Sequence, residues 1–319
     1  MRLATILNYQ TGGEAPQFAE PGNVTELCEV LKGWKGQAFT MLGDGTNSLA
    51  SDQPFSAPVL SLRKMTELSL KSANQVRMGA GLSNTALALF ARERGLGAAA
   101  WMYRLPGQIG ATVRMNARCF GGEISQIVTE VLAVDAEGKP HVFRDPQMFR
   151  GYKDTIFMEN GLVIAEVTTQ LMPASYEEIE QKMLFCENYR IQAGHFTYPS
   201  CGCVFKNDHK LGVSSGLLLD LAACAGRRQG AAEVSRKHCN FVYNTGGASA
   251  DDILRLTLDM REAVWQEFGA WLEYEMELLG TFSEDLMQRV RERRTPVLKN
   301  GRLAEAKEIF RQRQLRQAY

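Results

Sequence analysis

Two glycine-rich turns are the first residues of this sequence whose types and spacing suggest a binding chemistry. One turn covers residues 43–48 and follows a predicted strand, and the other covers residues 105–112 and leads into a stretch of small residues. Small residues leave backbone N–H groups free to converge on an anion such as a pyrophosphate. Either turn alone could be a tight connection, because Gly and Asn are common in turns. The two turns together favour an anion-binding site.

The same turns differ from the two common phosphate-binding motifs. Neither contains the G-x-G-x-x-G pattern of a dinucleotide-binding βαβ unit, and neither ends in the G-K-[ST] of a P-loop. The sequence therefore disfavours a doubly wound nucleotide-binding fold.

The cysteines are the other residues that could carry chemistry. They lie at positions 28, 119, 186, 201, 203, 224 and 239, without a C-x-x-C pair. A zinc site built from Cys201, Cys203, His238 and Cys239 is the metal alternative, but no pair among these residues has the usual ligand spacing. We therefore predict free thiols and no metal.

Hydrophobic periodicity predicts the elements that must position these residues. The predicted helices cover residues 26–31, 84–94 and 250–268, and a polar helix begins at 176. The predicted strands cover residues 38–42, 59–62, 75–78, 128–134 and 163–171. Ser249 or Asp251 could cap the helix that begins at residue 250. These patterns indicate a fold that mixes sheet and helix.

The length of the chain predicts more than one compact unit. At 319 residues it is longer than a single hydrophobic core usually supports. We predict units at residues 1–65, 66–172 and 173–280, followed by a basic tail at 281–319 with two helices around Pro296. The charge of the tail is typical of a solvated helical face.

The charge balance excludes several classes of partner. Lys and Arg total 36 and Asp and Glu total 36, so no net field attracts nucleic acid or an anionic membrane. No segment approaches the roughly 18 apolar residues of a membrane span, and the first ten residues do not resemble a targeting signal. We predict a cytoplasmic protein that binds neither nucleic acid nor membrane and is a monomer or a weak oligomer.

Five segments of the chain resemble motifs of the UDP-N-acetylenolpyruvoylglucosamine reductase (MurB) family. That family carries a G-G-G-S-N turn, an I-P-G-x-V-G-G-A segment followed by M-N-A-G-A-Y-G-G-E, and later G-[SC]-x-F-K-N, H-A-N-F-I-V-N and L-E-P-E. The corresponding segments here are 43–47, 105–111 with 115–123, 202–207, 238–244 and 272–275. Their order and spacing match over roughly residues 8–280, which a chance set of turns would not reproduce.

The resemblance implies an α+β architecture. Residues 1–65 and 66–172 would form a two-part FAD-binding region of the vanillyl-alcohol-oxidase (PCMH-type) class, and residues 173–280 would form a MurB-like C-terminal substrate domain. The third unit is too compact for the extra loop of type I members, so the chain resembles type II.

An activity and its cofactors also follow from the resemblance. They are the FAD- and NADPH-dependent reduction of the enolpyruvyl group of UDP-N-acetylglucosamine enolpyruvate to UDP-N-acetylmuramate, a step of peptidoglycan synthesis. The implied partner is therefore a small nucleotide-sugar substrate. Such a reduction needs an acid near C2 of the enolpyruvyl group and electrostatic partners for the developing enolate.

Position-by-position matching implies three catalytic residues. Cys203 falls on the proton-donor position, where the family has Ser or Cys, and a thiol with a pKa of about 8.5 is a stronger acid than a hydroxyl. Glu275 falls on a carboxyl group that stabilises or protonates the enol intermediate. Lys153 falls on the Arg of the family's Y-R-D-S-x-F. The alternatives are a buried structural cysteine for Cys203 and a solvated surface charge for Glu275.

The matching also implies binding residues. Tyr152, Lys206 and Asn207 fall on substrate-binding positions. The implied cofactor-binding residues are Gly43, Asp44, Gly45, Thr46, Asn47, Ser48, Pro106, Gly107, Gln108, Ile109, Gly110, Ala111, Thr112, Arg114, Asn116 and Gly121.

Several positions depart from the family's motifs. Lys153 keeps a positive charge but lacks the planar fork with which Arg grips a carboxylate. Arg118 replaces a Gly, where it could reach the FAD phosphates, close part of the pocket or meet a ligand anion. Arg104 and Asp208 are further departures. Two alternatives therefore stay open, namely a flavin reductase with a different substrate and a non-catalytic flavin-binding module.

Overall fold

The computed structural model describes residues 1–159 and 161–317, with side chains described as far as residue 313. The chain divides into two compact units, which are named here for their places in the sequence. The central unit comprises residues 17–44 and 57–190, and the terminal unit comprises residues 1–16, 45–56 and 191 onward. The boundaries predicted near residues 65, 172 and 280 stay a prediction.

The secondary structure mixes helices and short strands. The α-helices are α1 Val24–Trp34, α2 Asn84–Arg92, α3 Ile109–Arg114, α4 Tyr176–Gln192, α5 Ser215–Leu221, α6 Ala250–Phe268, α7 Glu284–Arg291 and α8 Asn300–Gln317. The strands are β1 Phe18–Ala19, β2 Thr40–Leu42, β3 Ser48–Ala50, β4 Val59–Ser61, β5 Leu68–Leu70, β6 Gln75–Gly79, β7 Arg118–Cys119, β8 Gly122–Glu123, β9 Val128–Val134, β10 Pro140–Phe143, β11 Phe149–Gly151, β12 Asp154–Thr155, β13 Val163–Gln170, β14 Arg228–Gln229, β15 Ala232–Val234, β16 Val242–Asn244 and β17 Glu277–Leu279. The helices and strands predicted from periodicity are confirmed to within a few residues at each end.

The central unit is built on an antiparallel sheet with the strand order β10-β9-β13-β6-β5. Its middle strand β13 is largely buried, and Val167 pairs with Met78 on one side and Val131 on the other. These three side chains belong to the core of this unit. A second, parallel sheet has the order β1-β4-β2. Its middle strand β4 is buried along its whole length, as expected for an apolar run with a neighbour on each side.

Helices α1 and α2 begin at side-chain caps. The Asn23 side chain accepts a hydrogen bond from the N–H of Glu26, and the Ser83 side chain accepts one from the N–H of Ala86. Such caps satisfy N–H groups that have no partner within the helix. They fix where each helix starts, so that apolar residues such as Leu87 point into the core.

The terminal unit is organised around α6. Ser249 caps this helix and forms a capping box with Asp252, which decides between the two predicted caps. The helix ends at Gly269, whose φ of +67° lies in the left-handed region. A Cβ atom at Gly269 would lie 1.8 Å from the carbonyl oxygen of Val297, so only glycine fits this crossing.

Further strands and helices complete the terminal unit. Strands β3 and β17 pair in parallel, with Ser48 opposite Glu277, and β14-β15-β16 form a small antiparallel sheet. The two helices predicted around Pro296 are α7 and α8, and they bury Leu286 and Leu303 in the core of the unit. No described helix combines the length and apolar composition that a membrane span needs.

Candidate active site

The two predicted glycine-rich turns meet in the central unit. The Gln108 side chain donates a hydrogen bond from Nε2 to Oδ1 of Asp44, with a distance of 2.9 Å. A Cβ atom at Gly43 would lie 3.4 Å from Oε1 of Gln108. Burial raises the pKa of the Asp44 carboxyl above its usual value, although the Arg63 guanidinium acts in the opposite direction. The structure therefore brings Gly43, Asp44 and Gln108 together.

The second turn is held close to the preceding backbone by two hydrogen bonds. The N–H of Ile109 donates to the Leu82 carbonyl and the N–H of Gly110 to the Ala80 carbonyl, each at 2.8 Å. A Cβ atom at Gly110 would lie only 2.8 Å from the Cβ of Ala80. The φ of +107° at Gly107 is also one that side chains rarely allow. Glycine is therefore favoured by close packing on Ala80 at position 110 and by the backbone conformation at position 107.

Buried polar side chains lie along α3, which follows this turn. The Thr112 hydroxyl donates to Oδ1 of Asn84 at 2.8 Å, and the Asn116 amide donates to Oε1 of Glu123 and to the Gly151 carbonyl. Among the described residues, Nδ2 of Asn84 and Oδ1 of Asn116 have no hydrogen-bond partner, although both atoms are buried. Buried polar atoms normally have partners. These two atoms are therefore a donor and an acceptor available to a ligand.

Tyr152 and Lys153 form the tip of the hairpin between β11 and β12. Lys153 has a φ of +56°, which is uncommon for a residue other than glycine. The Arg118 guanidinium lies over the Tyr152 ring, 4.1 Å from its centre. Arg118 was predicted to reach the FAD phosphates, to close part of the pocket or to meet a ligand anion. The described contact is with Tyr152, a predicted substrate-binding residue. Burial raises the pKa of Cys119, and Lys153 is among the cations that offset this rise.

In the terminal unit, residues 45–48 of the first turn are joined to the segment that carries Glu275. The Asn47 side-chain amide donates to the Glu275 carbonyl at 3.1 Å, and the Glu277 N–H donates to the Asn47 carbonyl at 2.9 Å. The Glu275 N–H donates to the carbonyl of Val204 at 2.8 Å. The backbone next to Cys203 and the backbone of Glu275 are thus hydrogen-bonded neighbours.

Cys203 lies in a partly buried segment that Gly202 turns sharply. Gly202 has a φ of +79°, and a Cβ atom there would lie 3.8 Å from the Thr46 carbonyl. Cys203 is half-buried, whereas Cys201 is fully buried. Burial raises the pKa of Cys201 to about 12, and Glu275 adds to this rise. The two neighbouring cysteines therefore lie in different environments, and the catalytic role of Cys203 stays a prediction.

The predicted substrate-binding pair Lys206 and Asn207 supports the start of α5. Oδ1 of Asn207 accepts a hydrogen bond from the Ser215 N–H at 2.8 Å, and the Lys206 carbonyl accepts one from the Ser215 hydroxyl at 2.5 Å. Both residues also follow Phe205, whose N–H and carbonyl are bonded by the Asn240 side chain. The Asn207 side chain therefore has a structural partner whatever else it binds.

The candidate site residues are divided between the two units. The terminal unit contains Cys203, Lys206, Asn207, Glu275, Gly45, Thr46, Asn47 and Ser48. The central unit contains Tyr152, Lys153, Gly43, Asp44, Pro106, Gly107, Gln108, Ile109, Gly110, Ala111, Thr112, Arg114, Asn116 and Gly121. No group of three His, Cys, Asp or Glu side chains in the described ranges is placed to hold a metal ion.

Comparison with known proteins gives two family matches. The FAD binding domain model matches residues 15–144, and the model for the C-terminal domain of UDP-N-acetylenolpyruvoylglucosamine reductase matches residues 194–279. The UDP-N-acetylenolpyruvoylglucosamine reductase of Synechococcus sp. (strain JA-3-3Ab) is 32% identical over 291 residues, which cover 89% of this chain and 92% of that protein. The chain belongs to the UDP-N-acetylenolpyruvoylglucosamine reductase family.

Further relatives agree with this membership in the MurB family. The enzyme of the same name from Carboxydothermus hydrogenoformans is 31% identical and covers 87% of this chain and 92% of its own length. The crystal structure of MurB from Thermus caldophilus superposes with a TM-score of 0.75 and 28% identity, covering 88% of this chain and 97% of that one. The predicted fold class, an α+β chain with an FAD-binding region and a MurB-like C-terminal domain, is confirmed at the level of these two domains.

The residues of the central unit fit the FAD that a MurB chain requires. At Gly107, whose φ of +107° favours glycine, the bare backbone allows close approach of a cofactor. The unpartnered amide atoms of Asn84 and Asn116 offer one hydrogen bond of each polarity to a polar ring. Gly107 and Asn116 were predicted from the sequence as cofactor-binding residues, whereas Asn84 was not.

Asn84 is the residue that sequence analysis missed. It is fully buried in the first turn of α2, and its N–H donates to the Gly107 carbonyl at 3.1 Å. An Asn at a helix start usually indicates a cap, and Ser83 next to it already serves as the cap. Two capping residue types in succession therefore indicated that the Asn84 side chain has another role.

Proposed function

We propose that this chain catalyses the reduction of UDP-N-acetylglucosamine enolpyruvate to UDP-N-acetylmuramate, with NADPH as the reductant. When bound, FAD would supply the redox chemistry, as the carrier of hydride between NADPH and the enolpyruvyl group. A proton added to the neighbouring carbon completes the lactyl product. The predicted nucleotide-sugar partner and the predicted cytoplasmic location are part of this proposal.

The observation that carries the proposal is the pairing of the Cys203 and Glu275 segments. The Glu275 N–H donates to the carbonyl of Val204, the residue after Cys203. The Glu275 carbonyl accepts a hydrogen bond from the Asn47 side chain. A reduction of this kind needs a group that delivers a proton and a group that handles the enol intermediate. We assign the first role to Cys203 and the second to Glu275.

The central unit would contribute cofactor binding and a positive charge. Gly43, Gly107 and Gly110 would let FAD approach the backbone, and Asn84 and Asn116 would bond to it. The Lys153 ammonium would stabilise the developing enolate as a point charge, since it lacks the planar fork of Arg.

The terminal unit would contribute Lys206 and Asn207, which would contact the diphosphate side of the substrate.

An anaerobic absorbance trace at about 450 nm tests the proposed function, because oxidised flavin absorbs there and reduced flavin does not. The purified FAD-loaded chain is reduced with NADPH and then mixed with UDP-N-acetylglucosamine enolpyruvate. We expect bleaching by NADPH and recovery with the enolpyruvyl substrate. Bleaching without recovery would contradict the proposed substrate, and a chain that binds no flavin would contradict the cofactor.

The roles of the two cysteines are separated by a pair of variants. Cys203→Ala removes the proposed proton donor and should slow the recovery step by about a hundredfold or more. Cys201→Ala, two residues away, is the matched control, because its buried thiol has only a structural role. It should lower stability but leave the recovery rate within about twofold. Equal slowing in both variants would contradict the assignment of Cys203.

A further inference from the structure

Tyr274 stands immediately before Glu275, where the L-E-P-E motif has proline. Proline fixes its own φ near −65°, so it restricts the backbone that leads into the glutamate. Tyrosine has no such restriction. In this chain the conformation before Glu275 must therefore be held by contacts of the tyrosine side chain and by backbone pairing.

The backbone pairing leaves the Tyr274 N–H out of the ladder. Tyr274 faces Phe205 in an isolated antiparallel bridge. The two bonds of this bridge run from the Lys206 N–H to the Glu273 carbonyl and from the Glu275 N–H to the Val204 carbonyl. Position 274 could therefore accept proline without losing either bond.

The Tyr274 ring is held on three sides within the terminal unit. The Phe205 ring lies 5.0 Å away, with an angle of 33° between the two planes. The Arg261 guanidinium lies 5.0 Å from the ring centre, and the hydroxyl lies 3.1 Å from the Thr257 hydroxyl. Arg261 and Thr257 both belong to α6. These contacts can supply the restriction that proline would otherwise give.

Arg261 is itself fixed by the end of α7. It is only 1% exposed, and it lies 4.3 Å from the Trp271 ring. Its guanidinium donates to the carbonyls of Val290, at 3.2 Å, and Arg289. The last carbonyls of a helix lack partners within it and carry partial negative charge, so a cation there is favourable. The guanidinium therefore joins the last turn of α7 to the Tyr274 ring.

We propose that Arg261 and Tyr274 are positioning residues that hold Glu275 in its reactive place, and that α7 supports them. The inference rests on the proposed function, because it concerns the role of Glu275 in that reaction. The C-terminal family match ends at residue 279, before α7 begins. The basic tail thus acquires a function in the reaction through Arg261.

The two half-reactions of the FAD-loaded full chain distinguish positioning from general damage. The variant Arg261→Met should slow the recovery of flavin absorbance with the enolpyruvyl substrate by about tenfold or more, since small displacements of reacting groups have large effects on rate. Flavin reduction by NADPH does not use Glu275 and should keep its rate within about twofold. Equal slowing of both half-reactions, or of neither, would overturn the inference.

Arg294→Met is the matched control for Arg261→Met. The Arg294 guanidinium lies over the Trp271 and Trp265 rings, at 4.5 Å and 5.3 Å, in the same aromatic cluster. Its described contacts do not include Tyr274. This variant should leave both half-reactions unchanged, and a slow recovery step here would show that any change in the cluster disturbs the site.

A proline at position 274 tests whether the arginine acts through the tyrosine. In the Tyr274→Pro background the backbone is restricted without the ring, so Arg261→Met should slow the recovery step far less than in the native chain. The same factor in both backgrounds would overturn the inference. If Arg261→Met fails to retain FAD, Arg261→Lys replaces it, because a lysine keeps the charge but loses the fork. That variant should still slow only the recovery step.

Failure of this inference is distinguishable from failure of the proposed function. The native chain reports on the function, because its flavin must recover with the enolpyruvyl substrate. The variants report on positioning only after that recovery has been observed. A native chain without recovery contradicts the proposed function, and a native chain with recovery but without a selective effect of Arg261→Met contradicts the positioning role alone.

Discussion

Two arginine–tyrosine stacks lie at positions where the sequence departs from MurB motifs, and they differ in burial. Arg118 replaces a motif Gly and lies over Tyr152 at 4.1 Å, with its side chain exposed to solvent. Arg261 lies over Tyr274 at 5.0 Å and is only 1% exposed. An exposed cation–π contact contributes about 0.5–1 kcal/mol, whereas a desolvated one contributes about 2 kcal/mol or more. The same pair of residue types can therefore be a surface contact or a structural support.

The largest effect in this comparison should come from removing the buried guanidinium. Arg261→Met leaves the carbonyls of Arg289 and Val290 without their donor, and it should lower the free energy of unfolding by about 2–4 kcal/mol. Urea unfolding of the FAD-loaded chain measures this loss. A change below about 0.5 kcal/mol would mean that the buried stack is no stronger than the exposed one.

A smaller effect should come from the hydroxyl of Tyr274. Tyr274→Phe keeps the ring but removes the bond to Thr257, so it should cost about 1 kcal/mol near pH 8. Burial raises the pKa of Tyr274 above its usual value, with Arg261 acting in the opposite direction. The native chain therefore loses stability as the pH rises above about 10, because the unfolded tyrosine ionises first. The phenylalanine variant lacks this loss.

Urea unfolding of both proteins between neutral and alkaline pH tests that expectation. The difference in free energy of unfolding between the native chain and Tyr274→Phe should decrease as the pH rises. An advantage that stays constant, or grows, would mean that the folded environment does not hold the Tyr274 proton.

The smallest effect should come from the exposed stack. Arg118→Gly restores the motif residue and should change the free energy of unfolding by no more than about 0.5–1 kcal/mol. Because the contact is exposed, its contribution to the free energy of unfolding should decrease when salt is added. Urea unfolding of the native chain and of Arg118→Gly at low and at high salt measures the size of this contribution and its dependence on salt. A loss comparable to that of Arg261→Met would remove the distinction between the two stacks.

Much of the fold could be predicted from sequence because its signals are local. The strand Val128–Val134 and the helix Ala250–Phe268 were predicted with the bounds that the structure has. A continuous apolar run at residues 131–134 marks the first, and the Ser249 cap defines the start of the second. The structure places the two glycine turns next to each other, because the Gln108 side chain bonds to Asp44, and their predicted role in binding stays a prediction.

The supports of the candidate site could not be predicted in the same way. Arg261 lies within a polar stretch of α6, and nothing local distinguishes it from Arg255, the other arginine of this helix, which is only half-buried. Its burial depends on the Trp271 ring and on carbonyls of α7, which are about thirty residues away in sequence. Contacts at such distances depend on tertiary packing and leave no periodic pattern.

The parallel pairing of β3 with β17 also determines when the site can form during synthesis. Ser48 pairs with Glu277, and the residues between them include the whole central-unit stretch 57–190. Contacts between such distant residues form slowly and only after both segments have left the ribosome. The Asn47 bond to Glu275 belongs to the same pairing. Stalled or truncated chains that end before residue 275 could therefore fold the sheet of the central unit while lacking the Glu275 segment altogether.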